Sequence, residues 1–249
     1  MMFRDENGLL PFFFLLLLII AAIFGFLRSS YFSVDKVLVE GNRSFTDEEV
    51  TVYAGIVQGQ NLFQVDLRRI KSRLESNPKI AEAVVRRKWP SSIVIAIKER
   101  EPLAIIPYHG YFIEVDRAGV AIGVLESFKN RGVPLLSGLI PYKVGVGHLV
   151  EAEGLDVALE VIAGLGREVL FRISEVNVKP GRGVTVYTID GTRALLGWDK
   201  PPVMASRGEK LGAILEQVWQ EGRRIESIDL RFERRPVIYV EPRQAGKTR

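Results

Sequence analysis

The chain's 249 residues carry 34 Lys and Arg against 30 Asp and Glu, a formal net charge of +4 with both histidines neutral. These charges are interspersed rather than gathered into basic blocks, which leaves no footprint for nucleic acid. The lack of cysteine excludes disulfides, thiolate metal sites and a cysteine nucleophile, and the length favours two domains over one.

The run from Gly8 to Leu27 is uncharged and strongly apolar. At ~1.5 Å of rise per residue, twenty helical residues cover ~30 Å, the thickness of a bilayer's hydrocarbon core. The expectation is therefore a transmembrane helix over 8–27 behind a short head at 1–7. The run ends in Phe24–Gly25–Phe26–Leu27, without the small-residue cleavage pattern of a secretory signal, so it reads as an uncleaved anchor. Flanking charge does not orient it for export, with Arg4 before it and Arg28, Lys36 and Arg43 after it.

From Phe32 the pattern is strand, helix, helix, strand, strand. Val37 and Val39 alternate with Lys36, Leu38 and Glu40 until Gly41–Asn42 breaks the strand. Thr46 with Glu49 three residues on forms a capping box, with Phe45 and Val50 placed as a hydrophobic staple. After a turn between Gly55 and Gly59, Asn61–Leu62–Phe63 leads to Asp66, a second N-cap. Leu67, Ile70 and Leu74 recur at helical spacing, with Arg68, Arg69, Lys71 and Arg73 on other faces, until Asn77–Pro78. Ile80 to Lys88 gives a strand ending at Trp89–Pro90, and Ile93, Ile95 and Ile97 alternate with Val94, Ala96 and Lys98 up to Glu99–Arg100–Glu101–Pro102. Arg86–Arg87–Lys88 reads as a solvated strand end or as a contact for membrane phosphates or an acidic partner, and Trp89 as a core or sheet-end anchor. This β-α-α-β-β domain over 32–101 resembles a POTRA module. Val39–Glu40–Gly41–Asn42, Asn61–Leu62–Phe63, Trp89–Pro90 and Glu99–Arg100–Glu101–Pro102 carry the resemblance, and behind the apolar run they are similar to the bacterial FtsQ/DivIB cell-division family.

Beyond Pro102 the chain predicts short strands: Leu103 to Pro107, Tyr111 to Val115, a turn at Asp116–Arg117–Ala118–Gly119, and Val120 to Leu125. Val133–Pro134–Leu135–Leu136–Ser137–Gly138 follows, then a helix through Leu155, Ala158, Leu159, Ile162 and Ala163, stopped by Gly164 and Gly166. Ile173 to Val178, Val184 to Ile189 and Arg193 to Leu196 form a meander with turns at Pro180–Gly181 and Asp190–Gly191. Leu211, Ile214, Leu215, Val218 and Trp219 form one apolar helical stripe ended by Gly222, and two strands, Ile228 to Phe232 and Pro236 to Val240, close the domain. Val115–Asp116, Pro134 to Gly138 and Asp229–Leu230–Arg231 extend the resemblance over essentially the whole chain. The fold class expected is α+β: a transmembrane helix, a POTRA-like domain, a mixed antiparallel β-rich domain with two helices over 102–241, and a basic tail at 242–249.

No motif supports catalysis, a cofactor or a metal. His109 and His148 lack the partners of a zinc helix, and Gly246–Lys247–Thr248 has Glu241 where a phosphate loop needs its leading glycine. Gly145-x-Gly147, Gly164-x-Gly166 and Gly181-x-Gly183 are turn signals, and the carboxylates Asp116, Glu151 and Asp229 are scattered along the chain.

The last strand offers a binding mode. If Pro236 to Val240 lies at a sheet edge, its unpaired backbone groups accept a partner's extended segment, with Phe232, Tyr239 and Arg231 giving specificity; otherwise Val237 and Tyr239 pack within the domain. The family resemblance implies that FtsB (DivIC)-like and FtsL-like bitopic proteins dock at Arg231, Phe232, Pro236, Val237, Ile238, Tyr239 and Val240. It implies a non-catalytic septation scaffold in a bacterial plasma membrane, with the N-terminus cytoplasmic and the domains extracytoplasmic. The alternative is a POTRA-containing translocation or outer-membrane assembly factor, although the chain has no room for the membrane β-barrel that usually accompanies one.

Overall fold

The computed structural model describes residues 9–128, 132–232 and 237–240. The chain divides into two compact units, Met1–Glu99 and Arg100–Arg249.

Helix α1, Leu9–Leu27, is apolar and exposed along its described side chains. It corrects the expected transmembrane helix: among the described residues, no helix is long and apolar enough to cross a membrane.

The rest of the first unit comprises β1 (Lys36–Glu40), α2 (Asp47–Ala54), α3 (Leu67–Glu75), β2 (Ile80–Lys88) and β3 (Ser92–Glu99). The strands form one sheet in the order β1-β3-β2, with β1 parallel and β2 antiparallel to β3. Strand alternation buries Ile93, Ile95 and Ile97 in one core with Val50 and Ala54 of α2 and Ile70 and Leu74 of α3. Both helix starts follow from local chemistry. Thr46 Oγ1 accepts from the Glu49 N–H while Glu49 accepts from the Thr46 N–H at 2.8 Å, and Asp66 accepts from the N–H groups of Arg68 and Arg69.

The loop after β1 explains two of the short motifs. Gly41 has φ +83°, and a Cβ there would lie 2.3 Å from the Ile97 carbonyl oxygen, so only glycine fits. Asn42 Nδ2 donates to the Phe45 carbonyl and to Asp47, each at 2.9 Å. The Glu99 carboxylate accepts from the backbone N–H groups of Arg43 (2.6 Å), Ser44 (3.0 Å) and Phe45 (3.3 Å). Partial burial pushes the Glu99 pKa up, but these donors outweigh it and hold the carboxyl below its ordinary 4.5.

The second unit contains β4 (Pro102–Tyr108), β5 (Tyr111–Asp116), β6 (Ala121–Leu125), β7 (Leu135–Ser137), α4 (Leu155–Gly164), α5 (Arg167–Leu170), β8 (Ile173–Lys179), β9 (Gly183–Thr188), β10 (Arg193–Gly197), α6 (Pro201–Gln220), β11 (Ile225–Asp229) and β12 (Val237–Val240). The nine strands among its described residues join one sheet, ordered β12-β11-β10-β9-β8-β7-β4-β5-β6. Two antiparallel meanders, β4-β5-β6 and β8-β9-β10, are bridged by β7, which runs parallel to both β4 and β8. A third parallel pair, β10 and β11, arises because α6 carries the chain across between them. Leu136, Val176, Val186 and Leu196 from the sheet share a core with Val161 and Ile162 of α4 and Leu211 and Leu215 of α6. Arg100 Nη1 donates to Asp116 Oδ2 at 2.6 Å, while Asp116 Oδ1 accepts from the Ala118 and Val120 N–H groups and so folds the turn between β5 and β6.

Helices α4 and α6 approach through glycine. A Cβ at Gly164 would lie 2.4 Å from the Ala205 carbonyl oxygen, at Gly208 2.4 Å from that of Val161, and at Gly212 2.5 Å from that of Leu165. Gly164 is thus a contact residue inside α4 rather than part of a turn, whereas Gly166, at φ +82°, does break the chain before α5.

Candidate partner-binding edge

Strand β12 pairs antiparallel with β11, placing Asp229 opposite Val237, Ile228 opposite Ile238, Ser227 opposite Tyr239 and Ile225 opposite Val240, with a bulge between Ile225 and Ser227. Among the described residues no strand lies beyond β12, so one side of its backbone is unpaired within the sheet. Ile228 is fully buried, yet its neighbour Ile238 is 41% exposed. Val237 is 42% and Tyr239 57% exposed, and because successive strand residues face opposite sides, β12 is open on both faces. The hydrophobic core ends one strand inside the edge. Pro236 lies outside the described residues, and Val240 is described by its pairing alone.

Arg231 and Phe232 precede this strand. Arg231 folds back on Asp229: its Nε donates to both carboxylate oxygens at 3.0 Å, its Nη2 to Oδ2 at 2.6 Å and its backbone N–H to Oδ1 at 3.0 Å. The bidentate pair holds Asp229 below its ordinary carboxylate value and raises Arg231 above its own. Arg231 also sits 5.8 Å above the Phe232 ring, which is itself exposed. The Asp229–Leu230–Arg231 motif is therefore a local clamp at the point where the chain leaves β11, with Leu230 buried and its N–H bonded to the Leu195 carbonyl.

Side chains of the β9–β10 turn and of α6 support the inner strands, and of these sequence reasoning passed over Thr192 and Arg207. Thr192 Oγ1 donates to the Ile225 carbonyl at 2.9 Å, and Trp219 Nε1 donates to Asp190 Oδ2 at 2.9 Å, tying the β9–β10 turn to β11 and to the end of α6. Burial pushes the Asp190 carboxyl up, but hydrogen bonds from Thr188, Trp219 and Thr192 prevail and lower it. Buried Arg207 of α6 donates to the Leu196 carbonyl at 2.8 Å and to Asp199 at 3.1 Å. At Gly197, φ +72°, an added Cβ would stand 3.3 Å from Arg231 Cγ and 3.4 Å from Arg207 Nη1, tight against both side chains. A buried arginine on an apolar helix face was the available signal.

The scattered carboxylates have separate partners: Asp116 with Arg100, Glu151 with Lys143 at 2.7 Å, and Asp229 with Arg231. His109 occupies the β4–β5 turn with φ 47°, and His148 Nδ1 lies 3.2 Å from the Val146 carbonyl oxygen. Among the described residues no group of His, Asp or Glu is gathered for a metal.

A three-stranded β-α-α-β-β unit followed by a broad sheet with an open terminal strand defines a POTRA-plus-β-domain protein. The POTRA domain of FtsQ type matches residues 32–100, and the C-terminal domain of cell division protein FtsQ/DivIB matches residues 104–231. The chain belongs to the FtsQ/DivIB family and has a role in cell division. It is similar to cell division protein FtsQ of Syntrophotalea carbinolica, 32% identical over 89% of this chain and 77% of the relative. It is also similar to FtsQ of an Anaeromyxobacter species, 28% identical over 88% and 74%. The major extracytoplasmic domain of DivIB from Geobacillus stearothermophilus aligns at 20% identity over 49% of this chain and 97% of that domain, with a TM-score of 0.35. The names of these relatives state a role in cell division and no enzymatic activity. The family match stops at residue 231, just before Phe232 and β12.

Proposed function

We propose that this chain is a non-catalytic scaffold of the division machinery, which binds FtsB (DivIC)-like and FtsL-like bitopic proteins by accepting an extended segment along β12. The domains work on the extracytoplasmic face of a bacterial plasma membrane and gather at the septum. The observation that carries this reading is the position of β12 at the end of the nine-stranded sheet, with Val237, Ile238 and Tyr239 exposed. An added strand gains affinity from main-chain hydrogen bonds and specificity from alternate side chains. Arg231, Phe232, Pro236 and Val240 are the flanking contacts proposed beside those three.

Proline placed singly at Ile238 and at Tyr239 tests the mode. Backbone groups of successive strand residues point alternately to the two neighbours, so one proline removes a donor toward the partner and the other a donor toward β11. The outward variant should keep its fold and weaken co-purification of FtsB- and FtsL-like proteins up to about tenfold, the worth of one net hydrogen bond. Undiminished retention of both partners by both proline variants rules the edge out.

A further inference from the structure

We propose that an aromatic cluster at one end of the first unit is a lipid-surface contact, seating that unit on the head groups of a bilayer. Phe26, Tyr31, Phe32, Phe63 and Trp89 form one connected group, with ring centroids 5.3 Å apart for Phe26–Phe32, 5.1 Å for Tyr31–Phe32 and Phe32–Phe63, and 4.9 Å for Phe63–Trp89. Rings that cluster in a core are hidden from water. Here Phe26, Tyr31, Phe63 and Trp89 are each more than two-fifths exposed.

The cluster is held in place by polar bonds behind it. Asn61 Oδ1 accepts from the Phe63 N–H at 3.0 Å while its Nδ2 donates to the Leu27 carbonyl at 2.8 Å. Arg87 donates through Nε to the Leu62 carbonyl at 2.8 Å and through Nη2 to that of Val65 at 2.7 Å. Arg87, read from sequence as part of a solvated or phosphate-facing trio, instead fastens the loop that presents Phe63.

Residue type and charge select a lipid interface as the occupant. Tyr and Trp combine an apolar body with a polar tip and concentrate where head groups meet acyl chains. Lys36 and Lys88 both register with Ser92, so the three form one row across the strands beside the Trp89–Pro90 turn, and both lysines are exposed. Arg28 lies 4.4 Å above the Phe24 ring at the start of the same segment, and Asp35 is the carboxylate beside Lys36. Cations bordering exposed aromatics suit an anionic bilayer surface. The contact requires head groups, not passage across the membrane, and it is independent of the strand-addition reading.

The test uses the full chain with Trp198→Phe and Trp219→Phe, leaving Trp89 as the one tryptophan, on vesicles of phosphatidylethanolamine and phosphatidylglycerol. Trp89 emission should shift to the blue, lose iodide quenching and gain quenching by lipids brominated near the glycerol end of the acyl chain. Adding Lys36→Glu and Lys88→Glu should reverse these changes. If the chain sediments with vesicles while Trp89 stays open to iodide, the exposed helix α1 alone holds the lipid or the patch serves a protein, and the proposal is overturned. Should circular dichroism show that the double variant is unfolded, 19F NMR of the native chain labelled with 5-fluorotryptophan, assigned with Trp89→Phe, gives the same reading through broadening by paramagnetic lipid.

Discussion

Gly208→Ala sets two effects of known size against each other. In an ordinary helix interior, replacing glycine by alanine gains about 1 kcal/mol of helix propensity. At Gly208 the new methyl would stand 2.4 Å from the Val161 carbonyl oxygen, where ordinary contact begins at 3.4 Å. Helices α4 and α6 must then part by on the order of 1 Å, and a close-packed interior resists such a shift at about 1–3 kcal/mol. The neighbouring contacts at Gly164 and Gly212 lie on the same seam and loosen with it, which puts the cost at the upper end and the net loss at about 2 kcal/mol. Urea unfolding in a Trp89→Phe background, followed by the fluorescence of Trp198 and Trp219, reads the second unit. Ser206→Ala, exposed on the same helix, serves as the control and should gain a few tenths of a kcal/mol. A Gly208→Ala midpoint at or above that of the parent chain would refute the close approach of the two helices.

Three further outcomes are expected. Glu99→Gln should cost about 1–2 kcal/mol through weaker bonds to the 43–45 loop, visible as faster amide exchange of Arg43, Ser44 and Phe45 in the intact chain. Because the folded Glu99 pKa is lowered below 4.5, its contribution is present above that value and fades as pH falls through the lowered one, so the difference between parent and Gln variant should shrink in acid. Arg100→Ala leaves Asp116, 6% exposed, without its cation and should destabilise the second unit by about 3 kcal/mol in urea; a loss under about 0.5 kcal/mol would contradict the buried pair. The lowered Asp229 pKa likewise contributes stability that is full above the ordinary 3.8 and fades as pH falls through the lowered value, so Asp229→Asn should flatten the fall of the thermal midpoint in acid.

Local chemistry made much of the first unit readable before any coordinates. The Thr46–Glu49 box, the Asp66 cap and the Ile93–Ile95–Ile97 alternation each depend on residues within one or two turns of each other. What periodicity reports is which face is apolar, not which strand lies next. The parallel bridge of β7 joins it to β4 thirty residues before and to β8 forty residues after, and leaves no local trace. Gly41 read as a strand breaker, but the reason only glycine serves lies at Ile97 on another strand. Gly208 and Gly212 went unnoticed because an apolar stripe directs attention to Leu211 and Leu215, whereas the tight seam is made by the residues beside them. Composition marks the N-terminal run over 8–27 as apolar, whereas among the described residues no helix is both long and apolar enough to cross a membrane. At the candidate edge, sequence suggested an outer strand by Pro236, which lies outside the described residues; the sheet order and the exposure of Ile238 now carry that point.

Site-specific photocrosslinking in dividing cells tests the central claim most directly. A photoreactive phenylalanine at Tyr239 probes β12, and the same residue at Val124, exposed on β6 at the opposite end of the sheet, is the control. The account predicts crosslinks to an FtsB-like protein from position 239 and none from 124. Crosslinks from 124 with none from 239 would contradict it.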